Sequence, residues 1–149
     1  MPEPFVHRLR VRYGECDPQG FVFNANYFMY FDVALTELWR ASIGPYAEMT
    51  AAGTDMVVAE ARARYLAPAR FDENLDVSVR VTRVGVTGLS TEMTVTRDGT
   101  AIVRGEMRHV FIDMRSGEKT PIPKTVRSGL ERHFVAPPPA QSRETDSVA

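Results

Sequence analysis

The chain has 149 residues, with 18 Lys+Arg against 19 Asp+Glu, 3 His and 1 Cys. That length supports one domain with its own core, and a net charge of −1 argues against a nucleic-acid binder. One cysteine closes no internal disulfide, the Cys and His residues show no zinc-site spacing, and neither a membrane span nor a secretory leader is expected. The expectation is a soluble, cytoplasmic protein without metal or other cofactor.

Residues 5–13 alternate, with Phe5, His7, Leu9, Val11 and Tyr13 on one side, and read as a half-buried strand. Gly14, Asp17-Pro18 and Gly20 then supply turn chemistry. From Asn24 the chain turns aromatic. Tyr27, Phe31, Ala34 and Leu38 make one helical stripe, and Phe28, Leu35 and Trp39 an adjacent one. Apolar surface over most of the circumference predicts a helix enclosed by other structure. Asn24 or Asn26 is placed to cap it, and Gly44-Pro45 ends it.

After a short helix around 45–52 the chain is strand-like. Residues 55–66 alternate around Val57, Ala59, Ala61, Ala63 and Tyr65; residues 74–84 around Leu75, Val77, Val79 and Val81. Asp98-Gly99 joins residues 88–97 and 100–112 as a hairpin. A short helix is expected at about 123–132, and the proline-rich segment 136–149 reads as a disordered tail. Residues 1–135 form one domain on this reading. The order predicts an α+β fold, an antiparallel sheet of five to six strands around one long central helix. Such a sheet leaves open edges, so a homodimer joined sheet to sheet is expected.

The segment Tyr13-Gly14-Glu15-Cys16-Asp17-Pro18-Gln19-Gly20-Phe21-Val22, followed by Asn26-Tyr27 and the aromatic helix, resembles hotdog-fold acyl-CoA thioesterases of the 4-hydroxybenzoyl-CoA thioesterase type. A second segment, Tyr65-Leu66-Ala67-Pro68-Ala69-Arg70-Phe71-Asp72-Glu73-Asn74-Leu75, is similar to that family's second strand and following turn. The likeness spans about residues 5–125. It implies a hotdog fold, a homodimer that often pairs into a homotetramer, and hydrolysis of acyl-CoA or of acyl groups on a carrier protein.

Thioester hydrolysis needs a nucleophile, or a base that makes water one, and stabilisation of the charge growing on the carbonyl oxygen. A helix N-terminus offers unpaired N–H groups and a positive dipole end. The resemblance assigns Asp17 as the catalytic carboxylate and the backbone N–H of Asn24 as the thioester-oxygen donor. Read alone, Asp17-Pro18-x-Gly20 is equally good turn chemistry. Gly20, Val22, Tyr27 and Asp32 are candidate substrate contacts, with Glu60, Arg62 and Arg83 further along the chain. Gly20 serves conformation. Tyr27 also suits the core. The resemblance implies that an acid on the helix can meet a phenol hydroxyl, a role open to Asp32; an ion-paired rim residue is the other reading.

Arginine suits the CoA phosphates, and Arg62, Arg64, Arg83, Arg104 and Arg108, with Arg12 and Arg70, are the candidates. The turn Gly85-Val86-Thr87-Gly88 carries no basic residue where some relatives do. That keeps a carrier-protein thioesterase open beside the acyl-CoA hydrolase, and a non-catalytic acyl-CoA binding module is the third reading. Glu15 points to the same side as Asp17 and fits an assisting or ion-pairing role. Cys16 fits a small packed side chain. No histidine falls near Asp17, which disfavours a dehydratase.

Overall fold

The structure, a computed structural model, describes residues 2–135; the expected tail, 136–149, lies outside the described residues. Strand β1 (Phe5–Arg10) is followed by a 3-10 turn, Tyr13–Glu15, and then by helix α1 (Asn26–Ser42) and helix α2 (Tyr46–Ala51). Strands β2 (Thr54–Tyr65), β3 (Asn74–Val84), β4 (Gly88–Arg97) and β5 (Thr100–Asp113) lead to helix α3 (Lys124–Glu131). Five strands form one antiparallel sheet in the order β1-β3-β4-β5-β2. The β4–β5 hairpin turns at Asp98 and Gly99, both with positive φ (50° and 79°), as a two-residue type I′ turn requires.

Alternation gives β3, β4 and β5 one apolar face, carried by Leu75, Val77, Val79, Leu89, Met93, Met107 and Phe111, all buried. Tyr27, Tyr30, Phe31, Ala34, Leu35, Leu38 and Trp39 of α1 bury against it. Gly105 lets α1 approach: a Cβ there would lie 2.4 Å from the Phe31 ring. The opposite face of the sheet is charged, with Arg62, Glu106 and Glu92 in one cross-strand row.

Three local expectations change. The first strand stops at Arg10, because Arg12 and Glu15 close the 3-10 turn. In β2 a bulge between Val58 and Glu60 shifts the register: Val58 pairs with buried His109 and Glu60 with Arg108, leaving Ala59 without an opposite residue. The single alternation from Val57 to Tyr65 is therefore broken in two. Finally, α1 is not enclosed all round within one chain, since Met29, Asp32, Val33 and Thr36 are exposed. β2 is an edge strand, and Val57 and Val58 on it are exposed too.

Candidate active site

The Asp17 loop is built by its own backbone. The Asp17 N–H donates to the Phe21 carbonyl at 2.8 Å, and the Gly20 N–H donates to the Asp17 carbonyl at 2.9 Å. Gly20 sits at φ 82°, where a side chain is strained. Within this turn Asp17 Oδ1 accepts from the N–H of Gln19 (2.9 Å) and Phe21 (3.3 Å). Oδ2 has no partner among the described residues, so one carboxylate oxygen is held and the other is available.

The tip of α1 faces the same recess. Its N-cap is Ala25, and no side chain caps it. The expected asparagine cap is not formed: the Asn26 amide donates instead to the Glu15 carbonyl at 2.8 Å. The N–H groups of Asn26, Tyr27 and Phe28 turn inward to Phe23, Asn24 and Ala25 carbonyls. The N–H of Asn24 has no acceptor among the described residues. The Asn24 carbonyl is pinned from β2 by the Tyr65 hydroxyl at 3.0 Å. Asp17, Asn24, Tyr27 and Tyr65 line one recess of about 340 Å³, with Val22 and Leu66 on its apolar walls.

Glu15 braces this arrangement. It is buried, and its carboxylate accepts from the Arg12 N–H (2.7 Å), Arg12 Nε (3.1 Å), Arg12 Nη2 (2.9 Å) and the Tyr30 hydroxyl (3.1 Å). Burial alone raises its pKa; the hydrogen bonds outweigh burial and hold the carboxyl below the usual glutamate range. Burial and the adjoining Glu15 charge push the Tyr30 phenol far up, so it stays a donor. Burial also raises the Tyr27 phenol, against a hydrogen bond from the Ala69 backbone.

Of the other candidates, Val22 and Tyr27 line the Asp17 recess, and Gly20 shapes its loop. Asp32 lines a different cavity, with Thr36, Trp39 and His109. Glu60, Arg62 and Arg83 line a recess of about 470 Å³ on the charged outer face of the sheet, where Glu60 and Arg62 pair at 2.6 Å. Within one chain they do not meet Asp17. The ion-pairing role open to Glu15 from sequence is taken up with Arg12, while its contact with Tyr30 and the pin at Tyr65 were not singled out; the Arg12–Glu15 spacing of i,i+3 was the available signal for the ion pair. The guanidinium of Arg70 stacks on Phe21 at 4.7 Å, beside the recess. Among the described residues no three His, Cys, Asp or Glu side chains come together to hold a metal ion, and no helix is long and apolar enough to cross a membrane.

The family model of the thioesterase-like superfamily matches residues 11–130. The acyl-CoA thioester hydrolase YbgC of Escherichia coli is 28% identical over 119 residues, covering 79% of this chain and 89% of that protein. The crystal structure of a hypothetical protein from Aquifex aeolicus superposes with a TM-score of 0.81 at 29% identity, covering 85% of this chain and 99% of the other. A 1,4-dihydroxy-2-naphthoyl-CoA thioesterase from Synechocystis superposes with a TM-score of 0.80 over 85% of this chain and 95% of its own; at 16% identity it speaks for the fold alone. The sheet on one long helix is thus the hotdog fold, and the chain belongs to the thioesterase-like superfamily as a thioester hydrolase.

Proposed function

We propose that the protein hydrolyses acyl-CoA thioesters to the free acid and CoA, with Asp17 as the catalytic carboxylate and the Asn24 N–H as donor to the thioester oxygen. The observation that carries this reading is the pairing of an unpartnered Asp17 Oδ2 with an unpartnered Asn24 N–H on one recess. A carbonyl oxygen at the helix tip gains a donor and the positive dipole end as its negative charge grows. The fixed Oδ1 aims Oδ2 without consuming it.

Two routes use this geometry. Oδ2 attacks the carbonyl carbon, the C–S bond breaks, CoA leaves as thiolate and takes a proton from solvent, and water then cleaves the mixed anhydride. Alternatively Oδ2 takes a proton from water as that water attacks. Rapid quench of a single turnover distinguishes them: the first route accumulates an acyl–Asp17 anhydride, or leaves ¹⁸O from labelled water in the Asp17 carboxylate when water enters at the aspartyl carbon, and the second does neither. The test of the reading itself is Asp17→Asn. Release of free thiol from acyl-CoA falls by about 10²–10⁴-fold on the scale of lost acid–base catalysis, with the fold intact. An equally active variant overturns the assignment.

The functional unit in this reading is a homodimer joined through β2, paired again into a homotetramer. Support comes from the 12-residue edge strand with exposed Val57 and Val58, and from the uncovered Met29 and Val33 of α1. Antiparallel self-pairing of β2 sets the Tyr65 end of one protomer beside the Met56 end of the other. Sedimentation velocity reads the state directly; a monomer at micromolar concentration removes the dimer.

A carrier-protein substrate remains the second reading because of one feature. The turn at 85–88 has no cation of its own; of the two that flank it, Arg127 of α3 donates to the Gly85 carbonyl at 2.6 Å, and the Arg83 guanidinium lies beside Gly85. Comparing one acyl group on CoA and on a carrier protein separates the two.

A further inference from the structure

The loop between β2 and β3 is joined to the Asp17 turn at two adjacent points. The Val22 N–H donates to the Ala69 carbonyl at 2.8 Å, and Phe21 and Arg70 form an isolated antiparallel bridge. Across that bridge the Arg70 guanidinium lies over the Phe21 ring, 4.7 Å from its centroid. Phe21 is also the residue that closes the Asp17 turn. Its N–H donates to Asp17 Oδ1 at 3.3 Å, and its carbonyl accepts from the Asp17 N–H at 2.8 Å. Phe21 lines the recess with Asp17, whereas Arg70 is not part of that lining. A shift of Phe21 therefore carries the carboxylate with it.

Arg70 is itself tied to the sheet. Its backbone N–H donates to Glu73 Oε1 at 2.5 Å, and its carbonyl accepts from the Glu73 N–H at 3.3 Å. Glu73 pairs with Arg97, at the end of β4, at 3.2 Å, and Arg97 also donates to the Pro68 carbonyl at 2.7 Å. Both side chains of that pair are 29% exposed, so salt screens it less than a surface pair. The loop's other acid, Asp72, is taken by Arg10 at 3.1 Å. With both acids committed, the Arg70 guanidinium has no ion-pair or hydrogen-bond partner among the described residues, and the Phe21 ring is its seat. The contacts run without a break from β4 through Arg97, Glu73, Arg70 and Phe21 to Asp17.

We infer that Arg70 is a positioning residue for thioester hydrolysis, its cation on Phe21 holding the Asp17 turn against the β2–β3 loop; this rests on Asp17 being the catalytic carboxylate. A cation over a ring face is attracted by the ring's negative quadrupole, at an exposed site by enough to shift an equilibrium about two- to fivefold. A side chain of similar length without the charge keeps the packing and loses that attraction. Arg70 thus acts through Phe21, not through the CoA phosphates open to it in the sequence.

The experiment measures acyl-CoA hydrolysis by Arg70→Met and Arg70→Lys, and by Arg70→Met combined with Asp17→Asn. Arg70→Met is expected to lower kcat about two- to fivefold with KM unchanged. Arg70→Lys keeps a cation and recovers most of the loss. In the Asp17→Asn background Arg70→Met has no further effect on residual turnover, because the two residues act as one unit. A wild-type kcat in Arg70→Met overturns the assignment. So does a raised KM at unchanged kcat, which marks direct substrate binding, and so does an equal loss in the Asp17→Asn background. Amide hydrogen exchange supplies a readout without turnover. In Arg70→Met the N–H groups of Asp17 and Phe21 exchange about two- to fivefold faster, while the α1 amides keep their wild-type rates. Unchanged exchange at both positions overturns the clamp. Should wild-type protein cleave no acyl-CoA at all, the hydrolase reading falls, and the exchange rates alone decide whether Arg70 fixes the turn.

Discussion

The Glu15 carboxylate and the Tyr30 hydroxyl meet at 3.1 Å in the core, joining the turn before Asp17 to the second turn of α1. The Glu15 backbone completes the joint. Its carbonyl accepts from Phe23 N–H at 2.9 Å and from the Asn26 side chain at 2.8 Å. Asp17 and the helix tip are thus referenced to one residue. Glu15→Gln keeps the size but loses the charge that draws in Arg12 and Tyr30. Breaking charge-assisted hydrogen bonds at a buried site costs about 1–3 kcal/mol. The expected result is a lower denaturant midpoint and a kcat that falls more than KM rises. Unchanged stability and kinetics together would show that the joint positions nothing.

Tyr65 acts from the opposite wall. Its hydroxyl holds the Asn24 carbonyl, so the same peptide unit region that presents the free N–H is fixed from β2. Tyr65→Phe removes one neutral hydrogen bond at a half-exposed position, worth about 0.5–1.5 kcal/mol. Steady-state kinetics on acyl-CoA should show kcat reduced roughly two- to tenfold. A variant with wild-type kcat would mean that the helix tip is held without this bond.

The long elements were readable because they obey simple periods. Asn26–Ser42 has too many apolar residues in sequence for a strand, and the Asp98-Gly99 turn carries its conformation in its composition. The Asp17 loop was readable as a turn for the same reason, and the role proposed for it came from resemblance, not from spacing. What stayed hidden depends on tertiary contact. The β2 bulge follows from pairing with β5, which local alternation cannot report. Glu15 reads as an assisting or ion-pairing acid, and nothing local reports that Tyr30, fifteen residues on, closes over it. His109 alternates with Arg108 and Val110 like any strand residue; only the packing of α1 over β5 makes it a buried ring beside a cavity.

Gly105 is the tightest point of contact between helix and sheet. An added Cβ would lie 2.4 Å and 2.5 Å from two Phe31 ring atoms and 3.1 Å from the Arg62 carbonyl. Phe31 is fully buried, so its ring has little room to move. Overpacking of this kind costs about 1–3 kcal/mol. Gly105→Ala should lower the unfolding midpoint by a corresponding amount, measured in urea. Gly14→Ala is the contrast, because nothing lies within 4 Å of a Cβ there. Equal midpoints for the two variants would refute the close approach.

His109 also predicts how stability depends on acid. Burial pushes its pKa down from 6.5 to about 4. Asp32 and Tyr46 are the other titratable groups lining its cavity, and burial raises both of their pKa values. The folded protein therefore keeps the imidazole neutral where the unfolded chain would protonate it. Stability from this residue is complete above pH 6.5 and is lost as pH falls toward 4, since the unfolded state binds the extra proton in that window. At pH 5 the loss amounts to roughly 2 kcal/mol by linkage. Urea unfolding at pH 7 and pH 5 checks it. The difference between the two should shrink by about that amount in His109→Leu, while the fall below pH 4.5 caused by protonating Glu15 remains. If the variant shows the same pH 7 to pH 5 difference as wild type, the imidazole is not held neutral, and its place among buried groups has to be given up.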